Sequence, residues 1–380
     1  MFPPVEITGL LARNSFAGLP GIAPIHKLRY LNPMTSDATL PLLQTYFAAT
    51  FPERLSPVVS GLVSINTGWE SEVYAFSAAW GPPARRTREE LILRLYPGND
   101  AYEKSGREHR ALALLHTAGY PVPRIDRLER DASPFRKPFL IMERVPGQPM
   151  WHSMFHSAPW RRKRLLRLFC GLFVRLHALD WRPHVPDPSE FEPGGPHAII
   201  ERQLAQWQAV VGPAMSTLGG FTANWEWLLA HQHDVVSERA SPVHWDFHPE
   251  NLLLKKDGSA VVIDWTSFDL TDYRFDLAWT VLLIGSHEHP RWRQPLLREY
   301  ERQAGRRVES LEFFDVAACL RRLFSVIISV NYGAEQLGMR PGAEDIMRKQ
   351  APALARVYDL LLQRTSLPIP EVEAFLKAST

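Results

Sequence analysis

Cysteine is nearly missing from this chain: 380 residues hold two, Cys170 and Cys319. Both fall inside apolar helical patterns, which favours buried free thiols over a disulfide framework and fits a reducing cytosol. Long hydrophobic runs are missing too. The most apolar late stretch, 323–330, is far too short to span a bilayer and follows directly on Arg321 and Arg322. Strong charge of one sign is absent: 43 Lys and Arg face 41 Asp and Glu, a net charge of +2. No global basic field therefore argues for nucleic acid, and no interleaved basic and aromatic motif supplies a local one. The N-terminal MFPPVEITGLLARNSF lacks a basic start followed by a long apolar run, so no secretory signal is expected. These absences together predict a cytoplasmic protein that uses neither membrane nor nucleic acid, and the sequence carries no signal of oligomeric state.

What is present is concentrated in residues 242–265, PVHWDFHPENLLLKKDGSAVVIDW. Asp246, His248, Asn251 and Asp264 lie here, and two apolar runs, 252–254 and 260–263, flank Lys-Lys-Asp-Gly. Asp-Gly between such runs is a hairpin signal. A hairpin brings its ends together, so Asn251 before the first strand and Asp264 after the second should lie side by side. Two oxygen-bearing side chains at one edge suit a hard cation, magnesium. Asp246, on the loop leading to Asn251, is then placed to face that metal.

With 380 residues the chain is suited to two lobes. Residues 1–36 are rich in Pro, Gly and Ala without a period and read as an irregular arm. From Asp37 the positions Leu40, Leu43, Tyr46 and Phe47 recur at helical spacing. Strands are expected over 62–65 and 72–76, joined by a turn that carries Gly68. That turn reads either as a phosphate-covering flap or as an ordinary hairpin. The run LILRLYP is an apolar strand interrupted by Arg94, a cation that needs a partner if buried. The helix that follows offers Glu108, which lies on the face of Ala111, Leu112 and Leu115. The competing reading puts Arg94 on the solvent side of an edge strand.

Gly119-Tyr120-Pro121 ends that helix, and strands follow over 125–129 and 139–143. The second runs into Arg144-Val145-Pro146-Gly147, a natural boundary between lobes. Backbone groups of Glu143 and Val145 would be free there to bond a base edge. Beyond 146 the chain turns helical. The segment 160–179 carries a stripe of Leu165, Leu168, Leu172 and Leu176 and ends near His177, read as a hydrogen-bonded helix-end histidine. Helices are also expected over 199–211, 225–238, 291–303, 311–337 and 343–363, and Asp269, Asp272 and Asp276 open a further buried one. After Asp264 acids and bases nearly balance, so no acidic surface advertises a polycationic acceptor.

The segment HWDFHPENLLL…VVIDW resembles the catalytic and metal-binding loops of the aminoglycoside phosphotransferase and choline kinase family, whose loop commonly reads His-Gly-Asp-Leu-His-x-x-Asn. His244, Asp246, His248, Asn251 and Asp264 match it, Arg94 and Glu108 match the strand cation and its helical acid, and 139–147 match the hinge. The likeness spans 61–278. It implies a protein-kinase-like two-lobe α+β fold: an arm over 1–36, a nucleotide-binding lobe over 37–145 with an antiparallel sheet and a helix, and a mostly helical catalytic and substrate-binding lobe over 146–380. It also implies a kinase that moves a phosphoryl group from ATP or GTP, with Mg2+, to a hydroxyl of a small molecule; a silent nucleotide-binding protein of the same fold is the alternative. Asp246 would orient the attacking hydroxyl, Asn251 and Asp264 would hold Mg2+, and Gly68, Arg94, Glu108, Glu143 and Val145 would bind the nucleotide. His248 acts in the chemistry or supports the loop, and His244 is structural. Asp276 resembles the buried aspartate that braces the catalytic loop. Two positions depart from the pattern. Arginine replaces the commoner lysine at 94 and tryptophan the commoner glycine at 245.

Overall fold

The computed structural model describes residues 36–65, 71–98, 100–131, 133–215, 218–333 and 347–379. Gly68 and the 1–35 part of the arm lie outside them. Five antiparallel strands, β1 (Val58–Ser64), β2 (Glu72–Trp80), β3 (Thr87–Leu95), β4 (Ile125–Glu129) and β5 (Phe139–Glu143), form one sheet in the order β1-β2-β3-β5-β4. The first strand starts earlier than the sequence suggested and stops before Ile65.

The period of two sets what each face does. Leu91, Leu93 and Leu95 of β3 join Phe76, Phe139 and Ile141 against Leu43 and Phe47 of helix α1 (Ser36–Thr50) in one small core. Ile92, Arg94 and Tyr96 therefore face the other way, toward α2 (Ala101–Thr117). β3 is central in the sheet, and Arg94 is buried. The edge-strand reading of Arg94 is thereby excluded.

At the hinge the chain passes directly against the second lobe. Gly147 packs so close to the backbone of 253–254 that a Cβ there would sit 3.0 Å from Leu253 Cβ and 3.1 Å from Leu254 O, tighter than side chains tolerate. The strand β6 (Gln148–Pro149) then pairs with β8 (Leu252–Leu254), and β8 with β9 (Ala260–Val262). The Asp-Gly hairpin forms as expected, with Gly258 at φ +84°.

The second lobe is helical: α3 (Met150–His156), α4 (Pro159–Ala178), α5 (Ala198–Met215), α6 (Thr222–His231), α7 (Tyr273–His287), α8 (Arg293–Ala304) and α9 (Leu311–Tyr332), then helices over Ala351–Thr365 and Pro370–Ala378. The buried side of α4 is Leu165, Phe169, Cys170, Leu172, Phe173, Leu176 and His177. Leu168 is only partly buried, so the phenylalanines and not that leucine carry the stripe. Both cysteines are buried and free, as expected. α6 ends at His231, short of 238, and α9 at Tyr332; residues 334–337 of the expected 311–337 and 343–346 of the expected 343–363 lie outside the described residues.

One element was read wrongly. Asp269–Asp272 forms a strand, β10, paired with β7 (Ala240–Val243) and not the first turn of a helix. Its acids survive burial because they are bonded. Asp272 caps α7 by accepting from Arg274 N at 3.0 Å and also takes the Arg274 guanidinium at 2.9 and 2.7 Å. The result is a rigid seat for α7, whose side chains are buried nearly all round. No helix among the described residues is long and apolar enough to cross a membrane.

Candidate active site

The loop between β7 and β8 carries Asp246, His248 and Asn251, and Asp264 follows β9. The β8–β9 ladder continues past its strands: Ile263 N donates to Asn251 O at 3.0 Å, so Asn251 and Asp264 do sit at one end of the hairpin. Asn251 Nδ2 donates to Asp246 O at 3.0 Å and to Asp246 Oδ2 at 3.2 Å. This fixes the amide and points its chemistry outward as a carbonyl oxygen.

Two residues of this region hold a left-handed backbone without being glycine: Trp245 at φ +64° and Asp264 at φ +67°. Such conformations cost of order 1 kcal/mol or more and need support from their surroundings. For Trp245 that support is visible. Its ring is buried against Trp207 and Phe275 at centroid distances of 5.5 and 5.9 Å, and the Arg321 guanidinium lies 5.0 Å above it. Arg321 Nη1 also donates to Trp245 O at 3.0 Å. The same geometry explains why glycine is the commoner residue of the pattern here.

Beneath the loop Asp276 of α7, fully buried, accepts from His244 N at 2.7 Å and Trp245 N at 2.9 Å. This is the bracing contact the resemblance implied. His244 Nε2 contacts Ile263 O at 2.9 Å, tying the loop to the end of β9, and Thr280 Oγ1 donates to Phe247 O at 2.8 Å. His177 reaches the same aspartate: Nε2 lies 3.4 Å from Asp276 Oδ2 while Nδ1 lies 2.8 Å from Tyr300 Oη. Burial lowers the pKa of this histidine, against the pull of Asp276. A depressed histidine pKa means that the unfolded chain binds the proton first as pH falls. The stability it contributes is present above about pH 6.5 and drains away below it. Denaturant unfolding between pH 7.5 and 5.5 should thus show a steeper loss for wild type than for His177→Gln. Parallel curves would remove His177 from the explanation.

His248 settles beside Asp246, with Nε2 3.2 Å from Asp246 Oδ2. Burial acts to raise the pKa of Asp246, yet the charge and hydrogen bond of His248, joined by the charges of His244 and Arg321, together outweigh it and hold the carboxyl well below its usual range. Burial in turn pulls His248 down, and Asp246 overcomes this to raise it. Each group thus favours the charged form of the other. The Asp246 side chain keeps 42% of its surface exposed, open to the cleft above.

The other lobe arrives through Arg94. Its Nη1 donates to Glu108 Oε1 at 3.0 Å and its Nη2 to Asp264 Oδ1 at 2.7 Å, joining β3, α2 and the end of β9 in one ion-paired chain. Burial opposes the Arg94 charge, but Asp264 and Glu108 together more than restore it, and the same cation lowers Asp264 against burial. Glu108 takes a further hydrogen bond from the Tyr96 hydroxyl. The pairing of Arg94 with Asp264 was not foreseen, nor was Tyr96, although a period of two from Arg94 places it on the same face.

At the hinge the two backbone N–H groups differ. The Glu143 N–H is not free, because it donates to Arg124 O at 2.9 Å as part of the β4 edge. Val145 N–H makes no hydrogen bond among the described residues. Gly68 lies outside them. Trp279 joins the site as well, its Nε1 donating to Asp246 Oδ1 at 3.4 Å. It stands three residues after Asp276 on α7, a spacing that puts both on one helical face.

Asp264 and Asn251 present a carboxylate and an amide carbonyl, hard oxygen donors that fit Mg2+. Among the described residues no group of three or more His, Cys, Asp and Glu gathers to cage a metal. A sparse site suits magnesium in particular, since it is commonly held by one or two carboxylates together with phosphate oxygens of a substrate.

Two lobes joined at a hinge, with a cation on the central strand of one reaching a loop of acids on the other, make the two-lobe α+β arrangement of the protein-kinase-like fold. The profile of the phosphotransferase enzyme family matches residues 61–311, and the chain belongs to that family. Among solved structures, a provisionally assigned aminoglycoside phosphotransferase from Ralstonia eutropha superposes with a TM-score of 0.56 at 17% identity, covering 83% of this chain and 98% of that one. A variant of aminoglycoside phosphotransferase APH(4)-Ia, crystallised with ADP and hygromycin B, superposes at 0.50 with 18% identity, covering 83% and 97%. At these identities the likeness is one of fold. The mouse protein acyl-CoA dehydrogenase family member 10 is 26% identical over 293 residues, 73% of this chain; the chain spans about a quarter (24%) of that relative's length.

Proposed function

We propose that the protein transfers the γ-phosphoryl group of ATP to a hydroxyl of a small molecule. The observation that carries this reading is the single chain of contacts from Glu108 through Arg94 to Asp264, which meets the Asn251–Asp246–His248 cluster at the hairpin end. Phosphoryl transfer asks a protein mainly to position groups and to neutralise charge. Each residue of the cluster has such a task.

Asp246 orients the acceptor hydroxyl and takes its proton as the oxygen bonds to the γ-phosphorus and the bond to the β,γ-bridging oxygen breaks, leaving ADP. The depressed pKa makes Asp246 an orienting group and a weak base, which suits a loose transition state that needs little proton removal. His248 holds that carboxylate in place. Asn251 and Asp264 would hold Mg2+, which when bound offsets the negative charge of the phosphates. Arg94, fixed by Glu108, brings a permanent positive charge to the phosphates beside Asp264; unlike lysine it cannot lose that charge. Val145 N–H is the hinge donor available to a base edge.

Binding of a non-hydrolysable ATP analogue, titrated with and without Mg2+, tests the metal assignment. Mg2+ should tighten binding to wild type, and Asp264→Ala or Asn251→Ala should lose that gain by about tenfold or more, a change of 1.4 kcal/mol per decade. An unchanged magnesium effect in both variants would remove these residues from the metal site.

A further inference from the structure

Beyond Asp246, the middle of α9 packs on α7 and carries two successive arginines, Arg321 and Arg322. Arg321 of α9 lies flat on Trp279, with Cζ 3.9 Å from the ring centroid, and Trp279 is the residue that donates to Asp246 Oδ1. A guanidinium thus stands one indole away from the carboxylate at which the hydroxyl would be oriented. Arg322 follows it on the helix. Its Nη2 donates to Gln350 Oε1, and no carboxylate within ion-pairing distance meets it among the described residues. Burial pulls the Arg322 pKa down, and the Asp246 charge acts to raise it again. His287 of α7 shares this space. It senses both Arg322 and His248, and its ring lies 6.5 Å from Trp151, which in turn lies 5.9 Å from His248.

Among the described residues the carboxylate bonded beside Trp151 is Glu288, and it is already held by Trp151 Nε1 and by His156 Nε2 at 3.4 Å. A half-buried arginine answered only by an amide keeps its fork of donors open to a planar or tetrahedral anion. Arg321 is differently engaged, since it braces Trp245 O and Trp279.

We propose that the acceptor alcohol carries an anionic group, a carboxylate or a phosphate, received by Arg322 beside the Asp246 cleft. The inference rests on the phosphotransferase reading above and names the substrate class for that site. Arg321 is a positioning residue that sets the Trp279 indole between the anion and the reacting oxygen.

The test offers the full chain Mg-ATP and a library of matched alcohols, each as carboxylate, phosphate monoester, neutral amide and primary amine, and measures ADP formation and acceptor phosphorylation. Wild type should favour an anionic member by tenfold or more in kcat/KM, and the carboxylate and phosphate arms distinguish the two sources of charge. Arg322→Gln should erase most of the preference through KM, Arg322→Lys should keep part of it, and Arg322→Glu should shift preference toward the amines. A wild-type preference for amines or amides overturns the proposal. So does an Arg322→Gln variant whose loss falls equally on every member through kcat, which would put the guanidinium on the transferring phosphoryl. ATP consumption without transfer to any anionic member also counts against it. ADP formation absent under every condition, in a protein that still unfolds cooperatively, overturns the phosphotransferase reading and this one with it.

Discussion

Asp246→Asn should lower kcat by roughly 100- to 10,000-fold while leaving the KM for ATP within a few-fold of wild type. The substitution is nearly isosteric. Asn251 Nδ2 can still donate to the remaining carbonyl oxygen, and the loop is still held from beneath by Asp276. What is lost is the negative charge that orients the hydroxyl and accepts its proton, together with the partner of His248. A loss confined to kcat is the signature of an interaction made chiefly in the transition state, and a rise in KM alone would mark uniform binding. His248→Asn should be milder, because it removes the restraint on the carboxylate and not the carboxylate. Initial-rate kinetics on both variants check the pair, and equal losses would mean that His248 acts in the chemistry itself.

Asp276→Ala should have the largest effect on stability. The side chain is fully buried and accepts two backbone N–H groups of the catalytic loop. Removal strands both donors and empties their pocket, at about 1–3 kcal/mol for each unsatisfied buried group, so about 2–6 kcal/mol in all. The loop should also shift. A displacement of about 1 Å at a reacting group can cost about 100-fold in rate, so kcat should fall although Asp276 touches no substrate. Asp276→Asn separates the two consequences. Its amide offers one acceptor and turns a donor toward the other N–H, so stability should be partly recovered while the loop remains displaced. Denaturant unfolding paired with initial rates measures both, and an Asp276→Ala protein as stable and active as wild type would contradict the bracing role.

Much of the site was legible because it is local in sequence. Asp246, His248, Asn251 and Asp264 lie within nineteen positions of one another, and a hairpin with an Asp-Gly turn converts that spacing into proximity with little help from the rest of the chain. Arg94 was legible for a different reason: a cation in an apolar strand must be paired if buried, and the period of the next helix named Glu108. The second partner, Asp264, was not, since it is 170 positions away and depends on how the lobes close. The places of Trp279, Arg321 and Arg322 around Asp246 were hidden for the same reason. Their helices looked like core, and only packing decides which of their side chains face the cleft. Asp269–Asp272 misled because two acids in four residues argue against a strand, whereas pairing with β7 and the Arg274 fork override that preference. The Glu143 N–H was lost to β4, whose register with the hinge follows from an irregularity between Ile125 and Arg127.

The central claim is tested most directly by phosphorus NMR of the full chain incubated with Mg-ATP and the alcohol library, beside Asp246→Asn. Wild type should convert the γ-phosphate resonance into a new phosphomonoester signal with ADP in equal amount, and the variant should do so at least 100-fold more slowly. ATP that binds but remains unchanged, cleavage to AMP and pyrophosphate, or phosphoester formation at the same rate in both proteins would contradict the account.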